Sequence, residues 1–147
     1  MHKIARRAIP VSAAAIAATV IGLATASPAS AVTWYSAPPT GATNVVNMAS
    51  KSLPDGGTLQ VRRGNYGNYA YYWGRVASPN SYYNTGHVLK FGLADKSSVT
   101  CASKDSTSKD INTTTYTSAT RVKGNCLYYA EVINSSGRVV ARAQYSA

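Results

Sequence analysis

Leu59–Val76 reads LQVRRGNYGNYAYYWGRV, and its alternation decides the fold class. From Thr58 to Arg63, Leu59 and Val61 fall on one side, Gln60 and Arg62 on the other. A period of two is the signature of a half-buried strand. Gly64-Asn65-Tyr66-Gly67 is turn chemistry. Tyr69–Val76 (YAYYWGRV) then reads as a second strand, rich in aromatic side chains that suit a pleated surface. Tyr69, Tyr71, Trp73 and Arg75 share one of its faces; Ala70, Tyr72, Gly74 and Val76 share the other.

The same reading extends in both directions. Asp55-Gly56-Gly57 is a turn before the first strand, and Ser78-Pro79-Asn80-Ser81 ends the second. His87–Leu93 is a third strand, with a turn near Asp95–Ser98 and a candidate short strand at Val99–Ser103. Lys104–Asp110 has no apolar residue and reads as a loop. Thr113–Val122 is dense in β-branched Thr, which favours a strand. After the turn at Lys123-Gly124-Asn125, Cys126–Ile133 alternates, with Cys126, Tyr128, Ala130 and Val132 on one face. Asn134–Gly137 is a hairpin turn and Arg138–Tyr145 a last strand. Short strands between turns predict an all-β domain over 55–147, a small antiparallel β-sandwich or partly open barrel. Its expected core includes Trp73, Val76, Val88, Phe91, Tyr128 and Val132. Upstream, 32–54 reads as an N-terminal arm, or as a short helix over Thr43–Ser52 that stops before Pro54.

The chain has 147 residues, with Lys+Arg 15 against Asp+Glu 5 and a formal net charge of +10. That length suits one domain, and the apolar content is too high for a charge-rich disordered tail. Met1–Arg7 carries Lys3, Arg6 and Arg7 and no acid; Ala8–Ala26 is apolar; Ala29-Ser30-Ala31 offers small residues for cleavage. Residues 1–31 therefore read as a secretory signal peptide. The expected product is secreted and extracellular, with no transmembrane anchor after cleavage. Cys101 and Cys126 are the two cysteines, and in an oxidising compartment they are expected to pair. A metal or thiol role has little support, because His87 is the single histidine after residue 31 and no CxxC occurs.

The supply of catalytic groups is thin. His87 reads as a surface or edge-strand histidine, and no Gly-x-Ser-x-Gly elbow accompanies it. Asp95 lies eight residues on, so spacing alone does not exclude a triad. The acids are Asp55, Asp95, Asp105, Asp110 and Glu131, few for a glycosidase pair or a calcium cage. No phosphate-cradling Gly-rich loop is present. An enzyme is not expected, nor a cofactor or metal. The excess lies in tyrosine and basic charge. Tyr69, Tyr71 and Trp73 form either an exposed strip for stacking on sugars or a tyrosine-lined core. Arg62, Arg63 and Arg75 lie close by and suit anionic groups.

The run from Arg62 to Trp73-Gly74-Arg75-Val76, followed by the strands His87–Leu93 and Thr113–Ala119, resembles small exported proteins of actinobacteria. That family has no settled activity, so the resemblance implies a compact exported β-domain. Asp55-Gly56-Gly57-Thr58, Ser81-Tyr82-Tyr83-Asn84 and Tyr128-Tyr129 are similar, less extensively, to lactococcin 972-type bacteriocins. This second resemblance implies an antiparallel sandwich that acts on wall synthesis. The leading expectation is a non-enzymatic secreted protein that binds an anionic or sugar-rich surface such as the cell wall. Its candidate binding residues are Arg62, Arg63, Tyr69, Tyr71 and Arg75, and its expected partner is an anionic cell-envelope polymer or polysaccharide. The alternative is a bacteriocin-like antimicrobial acting on competing bacteria. No specific nucleic-acid motif is present.

Overall fold

The computed structural model describes residues 32–36, 38 and 41–147; the signal-peptide reading of 1–31 lies outside the described residues. The strands are β1 (Thr43–Ser52), β2 (Thr58–Tyr66), β3 (Tyr69–Ala77), β4 (Val88–Ala94), β5 (Asp105–Asp110), β6 (Thr115–Tyr116), β7 (Thr120–Arg121), β8 (Leu127–Ile133) and β9 (Val139–Ser146). A short 3₁₀ turn, Ser81–Asn84, connects β3 to β4. The first sheet runs β1-β2-β3-β6, with β7 also on β3; the second runs β5-β4-β8-β9. Every pairing is antiparallel. The two sheets pack face to face as an open sandwich, with β1 near β9, β2 over β8 and β3 over β4.

The alternation seen in the sequence sets the core. Leu59, Val61, Tyr72 and Val76 point inward from the first sheet, and Leu89, Phe91, Leu93, Tyr128, Ala130 and Val132 meet them from the second. Tyr72 packs on Tyr128 with ring centroids 4.1 Å apart. Gly74 faces Phe91 so closely that a Cβ there would lie 3.0 Å from the Phe91 Cβ. Cys101 and Cys126 are joined in a disulfide. The bond ties the β4–β5 loop to the residue that precedes β8. Asp95 shapes the same loop: its carboxylate accepts the Cys101 N–H at 2.8 Å and pairs with Lys104 at 3.1 Å. The Cys101 N–H, then Lys104, hold the Asp95 carboxyl below its ordinary range. Among the described residues, no helix is long and apolar enough to cross a membrane.

Five expectations about the fold need correction. Thr43–Ser52 is strand β1, paired with β2, rather than a helix or part of an arm outside the sheet. Register shifts between Thr43 and Val46 and between Asn47 and Ala49 break its alternation, so the strand left no period of two to read. Lys104–Asp110 is largely strand β5, not a loop. It is a polar edge strand, and its charges suit an edge that must not recruit further strands. Val99–Ser103 forms no strand beyond a single bridge between Lys96 and Val99. Val88 is half-buried, because Leu89, Phe91 and Leu93 take the inward positions of β4. The Thr113–Val122 strand is present only as two short pieces, β6 and β7.

The tyrosine-rich interior predicts an alkaline limit to stability. Burial, with Tyr145 adding to it, pushes the Tyr72 phenol up to about 12, and burial also raises Tyr83 and Tyr128. In the unfolded chain these groups lose their protons at about pH 10. Stability from the neutral phenols is complete below that pH and falls as pH climbs toward the folded values. The melting temperature should therefore hold into mildly alkaline buffer and drop between about pH 10 and 12. Phenolate absorbance should show a late-titrating group of tyrosines. Titration of all 11 tyrosines in one step near pH 10, with the fold intact, would contradict this.

Candidate anion-binding face

The outer face of the first sheet is built from the residues that alternate away from the core. Register places side chains in rows across the strands. Ser50, Gln60, Arg75 and Tyr116 form one row. Asn47, Arg62 and Trp73 form the next, and Gly64, Tyr71 and Arg121 the third. Each arginine lies near an aromatic ring. The Arg75 guanidinium is 5.5 Å from the Tyr116 ring, Arg62 is 5.9 Å from Trp73, and Arg121 is 3.7 Å from Tyr69. Such contacts orient the planar cation. Arg75 Nη1 donates to Gln60 Oε1 at 3.3 Å, and Arg121 Nε donates to the Tyr71 hydroxyl at 3.4 Å.

The aromatic strip is not an open stacking platform. Tyr71 is 5% exposed and Trp73 2%, and with Ala119 they form a second small core. Tyr35, Val45 and Tyr116 pack against it. The arm residue Tyr35 pairs with Ala119 through two backbone bonds of 2.8 and 3.0 Å, and its ring meets Tyr71 edge-on at 5.2 Å. Trp73 lies over Gly64, where a Cβ would come within 2.9 Å of the indole. Only Tyr69 of the strip is well exposed, at 51%. The tyrosine-lined core is thus the outcome for Tyr71 and Trp73. Arg63 does not join this face: it pairs with Tyr72 and points the other way. Arg63 instead helps line an open cavity of about 250 Å³ at the β2–β3 turn with Asn65, Gly67, Asn68, Tyr69 and Ala70.

The charge is distributed unevenly. Strands of the first sheet carry Lys51, Arg62, Arg63, Arg75 and Arg121 and no acid. Strands of the second carry Lys90, Lys109 and Arg142 against Asp105, Asp110 and Glu131. Among the described residues, the ion pairs are Lys104–Asp95 and Arg142–Glu131, both away from the first sheet. Burial, then the neighbouring Arg75, lower the Arg62 pKa. No family model, curated protein or solved structure matches this chain.

The other chemistry-bearing groups do not converge. His87 is buried at 5% exposure, against the expectation of a surface position, and packs on Tyr82 and Tyr83. It immediately precedes β4 and Asp95 immediately follows that strand, about 25 Å apart along an extended chain. Those two residues form no triad. Asp105 accepts the Trp34 indole N–H at 2.8 Å, and Glu131 is held by Arg142 at 3.3 Å. Among the described residues, no three His, Cys, Asp or Glu side chains group as metal ligands. Sequence reasoning missed Gln60, Tyr116 and Arg121. Arg121 was one basic residue in a Thr-rich run, and nothing local said that β7 would lie beside β3.

Proposed function

We propose that the chain is an exported, non-enzymatic protein that binds an anionic extracellular polymer, such as a cell-wall polymer, through the outer face of its first sheet. The observation that carries this reading is the charge separation: Arg62, Arg75 and Arg121 share the outer face, and the strands of that sheet carry no acid. Such a field attracts polyanions over several ångströms and is weakened by salt. Burial of Tyr71 and Trp73 favours recognition by charge over recognition by sugar stacking.

Co-sedimentation with purified Gram-positive cell walls tests it. Binding should be strong at about 0.01 M salt and largely lost at about 1 M, where the Debye length shrinks from about 30 Å to about 3 Å. Arg62→Gln combined with Arg75→Gln should weaken binding at low salt. The same charge removed from the second sheet, as Lys90→Gln with Lys109→Gln, should weaken it far less. Binding that survives high salt, or equal losses from both pairs, counts against the reading.

A further inference from the structure

We propose that the cavity at the end of the β2–β3 hairpin binds one residue of an acidic sugar, a hydroxylated ring that carries a single anionic group. The site lies apart from the outer face of the sheet, so it stands independently of the polyanion reading. Leu59, Val61, Arg63 and Asn65 alternate onto the inward side of β2. The first two are fully buried, whereas Arg63 and Asn65 are half-buried. On β3, Tyr72 is buried on the same side, and Ala70, opposite Asn65, is half-buried. The core therefore ends at Val61 and Tyr72, and the hairpin runs on past it. The open cavity of about 250 Å³ lies there, where solvent reaches its lining directly. Tyr66 pairs with Tyr69 across the two-residue turn Gly67-Asn68, and Gly67 has a φ of +56°, as the favoured hairpin turns require. So short a turn holds Asn65 and Asn68 in place before a ligand arrives, which lowers the ordering cost of binding.

The lining sets the class of ligand. Arg63 contributes a cation, and the strands of this sheet carry no acid. Among the described residues both ion pairs lie elsewhere, so the charge at the cavity wall is unmatched. Asn65 and Asn68 each contribute an amide that donates and accepts, which suits hydroxyl groups that do both. Tyr69 is the one large ring at the wall; it is 51% exposed, and the Arg121 guanidinium lies over it at 3.7 Å. An apolar peptide side chain therefore finds little to bury against. The volume falls below the range of about 300–1,000 Å³ typical of drug-sized ligands, so the cavity takes one ring rather than a stretch of chain. One guanidinium fork accepts a carboxylate or a phosphate ester equally well. The shared requirement is one anionic group on a small hydroxylated ring.

The test follows the Arg63 Nε–H and the Asn65 and Asn68 side-chain amide signals of the disulfide-bonded protein by NMR. The additions are glucuronate, glucose 1-phosphate, glucose, acetate and inorganic phosphate. Glucuronate or glucose 1-phosphate should move all three signals together, with a roughly millimolar dissociation constant for so small a ligand. Either one doing so supports the site, and the tighter of the two identifies the anionic group. Glucose, acetate and inorganic phosphate each offer half of the match and should bind at least about fivefold more weakly. Arg63→Gln should weaken binding of the anionic sugar roughly tenfold, and Asn68→Ala roughly threefold. Ala70→Leu, which fills the cavity, should abolish it. Arg62→Gln, on the opposite side of β2, should change it less than about twofold. Asn68 is an exposed turn residue, so the melting temperature of Asn68→Ala should not fall, which separates lost binding from lost folding. Acetate binding as tightly as glucuronate overturns the sugar assignment, and glucose binding as tightly overturns the role of Arg63. No movement with any addition, or full affinity in Ala70→Leu, overturns the site. Cell-wall binding lost in the Arg62 and Arg75 double variant reports on the outer face alone, so the two readings fail separately.

Discussion

Replacing Cys101 and Cys126 together by serine should lower the melting temperature by roughly 10–15 °C. The disulfide closes 25 residues of chain, and loop-closure entropy of that size is worth about 3.5 kcal/mol. Small domains have about 5–15 kcal/mol of stability in total, so this is a large share. The local structure adds to the effect. Both sulfurs are buried, and the β4–β5 loop they hold also contains the Asp95 hydrogen bond to Cys101. Without the bond, the connection into the polar edge strand β5 depends on that hydrogen bond and the exposed Lys104 pair. Thermal unfolding with and without reductant, beside the double-serine variant, measures this directly. An unchanged midpoint in both would show that the cross-link constrains nothing.

Phe91→Ala should cost about 3–5 kcal/mol, the range for deleting a large aromatic side chain from a core. Phe91 is fully buried on β4, stacks toward Tyr128 at 6.3 Å and receives the Trp34 ring edge-on at 6.1 Å. The facing position on β3 is Gly74, which has no side chain to collapse into the space. The arm should loosen as well, because Phe91 is an apolar neighbour of Trp34 and Asp105 its hydrogen-bond acceptor. Denaturant unfolding should show the loss of stability. Native-state tryptophan emission should shift red from Trp34 while Trp73, on the other face of β3, stays buried. A loss below about 1 kcal/mol would mean that Phe91 does not fill the space between the sheets.

How far the sequence could be read depended on how regular each strand is. Leu59 and Val61 alternate without a bulge, so β2 and its inward face were legible. In β1 the two register shifts erase that signal, so Thr43–Ser52 reads from sequence as a short helix or part of an arm. β5 has no apolar residue because both its faces are largely exposed, so hydrophobic periodicity had nothing to report. Val88 and Phe91 are three residues apart and cannot both face one side of a strand; Leu89 was the partner consistent with Phe91. For the site, alternation correctly grouped Tyr69, Tyr71, Trp73 and Arg75 on one face and separated Arg62 from Arg63. It could not say whether that face was open.

The sequence by itself determined the all-β class, the inward sets on β2, β3 and β8, and the pairing of the two cysteines. These follow from local alternation and from there being a single way to join two thiols. It also determined the excess of basic charge. Only the tertiary structure decided that Tyr71 and Trp73 are covered and that Arg62 and Arg75 share a face with Arg121 and no acid. The cover comes from Tyr35, Tyr116 and Ala119, far away along the chain, and the charge separation comes from which strands join which sheet. Both depend on non-local pairing between strands, for which a one-dimensional periodicity carries no signal.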